Sequence, residues 1–204
     1  GVNNTGDISN GVSIRGGSLD QNLMLYESAP VFNPTHLFGL FSVFTPDVIS
    51  GVNIYQANIP AKYGGRIASV VDIKVKSPYT DKFKLEGGVG VMSSRLSLST
   101  PIIKDKLMLL AGGRIGFTDF LFPLLIPRLK NTKANFKDST VKLLYLPNEN
   151  NQLTYTHFFS QDFYQLDLIS SIENIVSSSN QYDFGTSNHT LRWLHSFDNE
   201  TNLV

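Results

Sequence analysis

The sequence contains no cysteine and has no net charge, and both absences limit what the protein can be. Without cysteine it can form neither disulfides nor thiolate metal sites. Seventeen basic residues balance seventeen acidic residues among 204, so no bulk field favours binding to a phosphate backbone. We therefore expect no nucleic-acid partner.

Long apolar runs are missing as well. The most hydrophobic stretch, residues 120–127, is interrupted by Pro123 and is much shorter than the roughly 20 residues that cross a bilayer as a helix. This excludes a helical membrane protein. The first residues also lack the charged and apolar regions of an export signal, so we expect any such signal to lie upstream or to have been removed.

The second half of the chain alternates apolar and polar residues with a period of two. This period predicts β-strands, because successive side chains point to opposite faces of a sheet. The alternating segments are residues 83–91, 95–99, 107–118, 141–145, 153–160 and 190–197.

The connections between these segments alternate in length. Residues 104–106, 148–151 and 198–201 are short and polar, whereas residues 119–137 and 164–188 are long. Outer-membrane barrels have short turns at one end and long loops at the other. A soluble β-sandwich also alternates, but it has no reason to segregate its long loops. The pattern favours a transmembrane β-barrel and leaves the soluble sandwich as the alternative.

The first 80 residues show a different pattern. Short strands are predicted at residues 12–15, 23–26, 52–55 and 70–75, separated by glycine, proline and asparagine. Thr45 as N-cap, Pro46 at the first position and Asp47 in the first turn predict a short helix. We therefore expect an α+β unit over residues 1–78, and barrel strands over residues 82–204.

Motifs for catalysis are absent from the sequence. It has no phosphate-binding glycine loop and no nucleophile elbow. Its four histidines, His36, His157, His189 and His195, have no metal-ligand spacing. We expect neither an enzyme nor a cofactor or metal site.

Residues 14–16, 21–25, 47–55, 61–66 and 70–74, in this order, resemble the plug domain of a TonB-dependent outer-membrane receptor. Residues 29–38 and 58–66 are similar to the branch of that family common in Bacteroidetes. The fold class implied is an α+β plug domain followed by antiparallel β-hairpins of a transmembrane β-barrel.

The sequence departs from this family in two respects. Glu27-Ser28 stands where the family usually has an Asp-Gly pair, which removes the glycine that tolerates positive φ. The family's barrel has about 22 strands, whereas this chain supplies about six and the start of a seventh. An open sheet of that size leaves unsatisfied edges in lipid, so we expect a fragment with an incomplete barrel.

The resemblance implies a function in the bacterial outer membrane. The receptor would import a nutrient ligand such as a siderophore, cobalamin, oligosaccharide or peptide, with the plug gating the barrel. Its partners would be outer-membrane lipid and TonB, through a region that these 204 residues do not include. A surface lipoprotein partner is left open. The alternatives are a soluble or surface β-rich ligand-binding or adhesion module, and an outer-membrane protein without transport.

The resemblance also suggests roles for particular residues. Asn33, His36 and Phe38 would lie in a plug loop facing the extracellular vestibule, where they would contact ligand or pack. A second group would hold the plug together or lock it in the barrel: Arg15, Gly16, Gly64, Gly65, Arg66 and Asp72. On the apolar faces of their strands, Tyr155 and Trp193 are candidates for interfacial aromatic girdles.

Overall fold

The computed structural model describes residues 2–4, 12–14, 22–55, 59–64, 69–119, 133–167, 179–197 and 202–203. Its first part consists of short strands. These are β1 (Val2–Asn4), β2 (Val12–Ile14), β3 (Asn22–Tyr26), β4 (Ala29–Pro30), β5 (Thr35–His36), β6 (Phe41–Ser42), β7 (Ile49–Tyr55) and β8 (Ser69–Val75). Strands β1 and β2 form an antiparallel pair, as do β5 and β6.

A four-stranded mixed sheet organises residues 22–75. Its order is β4-β3-β8-β7, with β3 parallel to β8 and the other pairs antiparallel. Strand β8 is one of the two inner strands of this sheet and is the most buried. Its near-continuous apolar run, Val70, Val71, Ile73 and Val75, favours this position. We call the described residues between 22 and 75 the inner unit.

The expectation of an α+β unit is wrong. Two 3-10 turns of three residues each, Leu37–Gly39 and Pro46–Val48, are described over their full length. Residues 118–119 also have helical backbone, and the residues directly after them are not described. Thr45 makes no capping hydrogen bond, although Pro46 and Asp47 occupy the predicted positions. Ile49 is already extended because β7 begins there and pairs with β8. Strand pairing thus overrides the helix-start signal, and the inner unit is built almost entirely of strands.

The second part is a seven-stranded antiparallel sheet, which we call the wall sheet. It runs from β15 to β9 in reverse chain order. Its members are β9 (Lys84–Val89), β10 (Ser93–Ile103), β11 (Leu107–Gly116), β12 (Lys133–Asn148), β13 (Asn151–Asp167), β14 (Ser179–Ser196) and β15 (Asn202–Leu203).

The strands of the wall sheet are longer than their alternation predicts. Strands β12, β13 and β14 contain 16, 17 and 18 residues and extend into the segments 119–137 and 164–188 that were predicted to be loops. Polar residues in those segments weakened the alternating pattern, yet backbone pairing continues through them from Lys133↔Gln165 to Asp167↔Ser179. Within the part of the chain described, no helix is long and apolar enough to cross a membrane.

The hydrophobic core lies between the inner unit and the wall sheet. Its inner-unit members are Tyr26, Val31, Val43, Val48, Val71, Ile73 and Val75, and Leu110 and Phe158 join them from the wall sheet. A smaller cluster combines Leu37 with Ala134, Phe136 and Tyr164. Both clusters cross the boundary, so the two parts pack against each other.

Candidate functional site

The two faces of the wall sheet differ in polarity. The face toward the inner unit buries polar side chains among its apolar ones: Ser97, Asp138, Thr140, Lys142, Thr154, Thr156, Ser160 and Asp162. The opposite face exposes large apolar side chains: Leu85, Val89, Leu96, Ile115, Tyr145, Leu191 and Trp193. A water-soluble domain has the reverse arrangement, whereas transmembrane barrels alternate apolar-out and polar-in.

His36 is a fully enclosed polar group of the inner unit. It ends β5, is 0% exposed and inserts between two wall-sheet aspartates. Its Nδ1 lies 2.8 Å from Oδ2 of Asp162 on β13, and its Nε2 lies 3.3 Å from Oδ2 of Asp138 on β12. The second contact has ion-pair distance without hydrogen-bond geometry. Its ring stacks on Phe136, with centroids 4.4 Å apart.

Further donors surround the two aspartates. Arg114 on β11 reaches Oδ2 of Asp138 through both Nε and Nη2, each at 2.8 Å, and Thr45 donates its hydroxyl to Oδ1 of Asp138. Oδ1 of Asp162 accepts hydrogen bonds from the Leu37 amide at 3.2 Å and the Tyr164 hydroxyl at 3.0 Å. The cluster therefore joins the inner unit to three adjacent wall strands.

The environment of His36 has opposing effects on its pKa. Burial disfavours the charged imidazolium and lowers the pKa, but the close carboxylates of Asp138 and Asp162 together outweigh it. The net result is a pKa raised above its usual 6.5, which favours the doubly protonated ring.

A second buried ion pair joins Glu27 to Lys142. The ammonium group of Lys142 on β12 lies 3.0 Å from Oε2 of Glu27 and 3.2 Å from the carbonyl of Val75. Oε1 of Glu27 accepts the amide hydrogen of Val75 at 2.7 Å. Lys142 is only 8% exposed, so this pair is shielded from solvent and salt.

The third contact lies around the 3-10 turn Pro46–Val48. Asp47 pairs with Arg95 on β10 at 2.8 Å. Beside it, Val48 is 0% exposed and packs over Gly112 of β11, where an added Cβ would collide with its Cγ1. Glycine at this position allows the turn to approach the wall backbone.

Tyr26 fixes the centre of the interface. Its hydroxyl lies 2.7 Å from the Thr140 hydroxyl, and its ring packs on Phe44 and Phe158. Burial raises the pKa of Tyr26, and the hydrogen bond to Thr140 opposes that rise only in part. The phenol is therefore neutral and can donate or accept.

The structure places the residues predicted from sequence in different settings. His36 is buried between the two parts, Asn33 is half-buried, and the backbone of Phe38 lies in the 3-10 turn Leu37–Gly39. Asp72 is buried. Its carboxylate contacts three groups of the inner unit: the Ser28 amide, the Tyr63 hydroxyl and the Lys74 ammonium.

The remaining predicted residues lie at open positions, on the outer face or outside the described part of the chain. An added Cβ at Gly64 would meet no atom within 4 Å, so space does not require glycine there. Arg15, Gly16, Gly65 and Arg66 lie outside the described residues. On the outer face, Trp193 donates to Oδ1 of Asn151, and the Tyr155 hydroxyl contacts Nδ1 of His189.

Sequence reasoning missed most of the interface. The sequence predicts Thr45 only as a helix N-cap and Glu27 only as part of a turn, and it singles out none of Asp138, Asp162, Arg114 and Lys142. One signal was available: Asp138, Lys142 and Asp162 are charged residues at the inward positions of alternating strands. Charges on a buried face of a sheet need partners, which the inner unit supplies.

Comparison with known proteins identifies the fold. No family model and no curated protein matches the chain. A mutant of the ferric enterobactin receptor PfeA of Pseudomonas aeruginosa matches with a TM-score of 0.61 and 16% identity, over 97% of this chain and 35% of that chain. The siderophore receptor PirA of P. aeruginosa matches with a TM-score of 0.55 and 18% identity, over 95% and 37%.

PirA of Acinetobacter baumannii gives a similar match, with a TM-score of 0.53 and 14% identity over 94% of this chain and 40% of that one. The chain thus spans well under half the length of the receptors that it matches. At these identities the likeness concerns the fold alone: this chain is similar in fold to part of each of these receptors.

Proposed function

We propose that this chain is part of a TonB-dependent outer-membrane receptor, with the wall sheet as a segment of its barrel and the inner unit as its plug. The polarity of the wall sheet carries the proposal. Its polar face is covered by the inner unit and its apolar face is exposed, as a barrel in lipid around a polar filling requires.

The soluble or surface adhesion module is less well supported. Such a module would have to leave Val89, Ile115 and Leu191 in water, where they are 89%, 59% and 72% exposed. It would also bury Asp138, Lys142 and Asp162 in its interior. Both features cost free energy in a soluble protein.

Transport rather than catalysis is the proposed activity. Ligand would bind from outside, and TonB-driven rearrangement of the inner unit would open a path along the polar face of the wall sheet. The matched receptors are named for siderophores, so a ferric siderophore is the first ligand class to test. Cobalamin, oligosaccharides and peptides are the further classes.

The Bacteroidetes-like branch stays a prediction from residues 29–38 and 58–66, and the surface lipoprotein partner stays open. The matched structures come from Pseudomonas and Acinetobacter and support neither. Co-purification of the full-length protein from its native outer membrane tests for a lipoprotein partner.

The proposed function is tested by uptake in cells. The full-length protein is expressed in a Gram-negative host lacking its own siderophore receptors, with and without TonB, and uptake of labelled ferric siderophores is measured. We expect accumulation that disappears without TonB or after collapse of the proton-motive force. Extraction as a monomer without detergent would instead establish the soluble module. Membrane insertion without energy-dependent uptake of any ligand class would establish an outer-membrane protein without transport.

A further inference from the structure

The surroundings of His36 favour two protons on its ring. Nδ1 and Nε2 each face a carboxylate oxygen, of Asp162 and Asp138 respectively. Ionised carboxylates only accept hydrogen bonds, whereas neutral imidazole has a single N–H. A neutral ring would therefore turn a nitrogen lone pair toward a negative oxygen.

The charges around His36 balance only when it is protonated. The groups that face it are Asp138 on β12, Asp162 on β13 and Arg114 on β11, with the neutral hydroxyls of Thr45 and Tyr164 attached to the aspartates. Two negative charges then meet two positive charges. Loss of the His36 proton leaves one uncompensated negative charge in a cluster that is almost fully buried, which is costly.

The backbone beside His36 is strained and depends on the same cluster. Leu37 has φ of 51°, a left-handed conformation that a bulky residue rarely adopts. Its amide is held by Oδ1 of Asp162 at 3.2 Å, and its side chain fits the small core with Phe136 and Tyr164. Weakening the cluster thus also removes a support for this conformation.

We propose that His36 is a pH-sensitive latch of the inner unit: its protonated ring holds residues 35–43 on β12 and β13, and loss of the proton releases them. This inference rests on the proposed function, since it treats the inner unit as the element that moves. The latch regulates the strength of the contact and leaves the rest of the interface, including Glu27 and Lys142, in place.

The direction of the pH dependence follows from the cluster. The pKa of His36 in the folded protein is raised above 6.5. The stabilisation is therefore complete below about pH 6.5 and is lost as the pH rises through the folded-state pKa. For a single proton, the opening equilibrium of this segment increases by at most about tenfold per pH unit between about pH 6.5 and the folded-state pKa, and it levels off above that pKa.

Hydrogen–deuterium exchange of the full-length protein in detergent tests the latch. The readout is the opening constant of peptides containing Leu37 and Val43, corrected for intrinsic exchange, from about pH 5.5 to about pH 9.5. We expect a flat profile at low pH and a rise at high pH for the native sequence. His36→Gln should abolish the rise, because glutamine does not titrate. His189→Gln, on the outer face, should keep the native profile.

Asp162→Asn covers the case in which His36→Gln prevents docking at every pH. Removing one carboxylate lowers the folded-state pKa, so the rise should be smaller and should end at lower pH, and an unchanged rise would overturn the latch. A flat native profile, or a native-like profile in His36→Gln, would also overturn it.

The measurement needs neither ligand nor TonB. A protein that transports nothing but shows the expected profiles would refute the proposed function alone, and a transporter with a flat profile would refute the latch alone.

Discussion

At the residue scale, Gly112 permits the close approach of the inner unit to the wall sheet. It lies on the inward face of β11, and any side chain there would collide with the buried Val48. We expect Gly112→Ala to weaken docking of the inner unit by about 1–3 kcal/mol, the usual cost of overpacking. Exchange of the Val48 and Lys76 amides, which lie around this turn, measures the effect.

Gly88→Ala is the matched control for Gly112→Ala. Gly88 also lies on the inward face, opposite Arg95, but an added Cβ there would be 3.7 Å from its nearest neighbours. That is an ordinary contact, so exchange should stay unchanged. Equal effects of the two substitutions would show that a general loss of strand flexibility, and no collision with Val48, is responsible.

The turn between β3 and β4 provides a second residue-scale prediction. Glu27 and Ser28 have φ of 49° and 71°, the left-handed values that a tight two-residue hairpin needs. Ser28→Gly should relieve strain and raise the free energy of unfolding by up to about 1 kcal/mol. Glu27→Gly should lower it, because the contacts to Lys142 and the Val75 amide are lost. Denaturant titration of both variants gives the sign, and stabilisation by Glu27→Gly would contradict the importance of the ion pair.

At the element scale, the outer face of β12 should tolerate no charge. Val141 lies between Ala111 and His157 on that face, near the middle of the apolar band. We expect Val141→Arg to destabilise the membrane-inserted protein by about 2–4 kcal/mol, seen as reduced heat-resistant folded protein on gels. Thr186→Arg is the control on the inward face of β14, opposite Ser160, and should assemble normally. Failure of both variants alike would argue against a lipid-facing surface.

The sequence predicted strands better than it predicted their contacts. Alternation located β9 to β14 because each strand has an apolar outer face, and this signal is local. It failed beyond Lys137 and Gln161, where the outer face becomes polar while pairing continues. The predicted helix at Thr45 failed for a different reason: β7 begins at Ile49 and pairs with β8, and the hydroxyl that would cap the helix is bound to Asp138, 93 residues away.

The candidate interface could be predicted only in part. His36 was singled out, but as a ligand contact, because nothing local reveals that two aspartates from separate strands converge on it. The ion pair of Glu27 with Lys142 joins residues 115 positions apart and depends on the register of β12 against the inner unit. Contacts of this kind follow from three-dimensional packing and leave no periodic trace in the chain.

At the scale of the whole molecule, the interface ion pairs should limit passive leakage. Combining Lys142→Gln with Arg95→Gln removes one buried and one half-exposed pair. Unpairing a buried charge costs about 3 kcal/mol or more, so a detached inner unit should become on the order of 100-fold more populated. We expect faster influx of a large polar antibiotic without energisation. Lys104→Gln, in the exposed turn between β10 and β11, should leave permeability unchanged, and equal permeability of all variants at normal expression would contradict this role.

The lengths of β12, β13 and β14 have a consequence for how the protein meets its surroundings. Barrel strands need roughly 10 residues to cross the membrane, whereas these have 16 to 18, and their outer face becomes polar near Lys137, Gln161 and Asp183. If the short turns of the wall sheet lie on the periplasmic side, as in outer-membrane barrels, a collar of paired strand stands above the lipid on the outside of the cell. Antibodies, phage and large ligands would then meet paired β-strands, so a binder raised against the collar would recognise backbone that is already ordered.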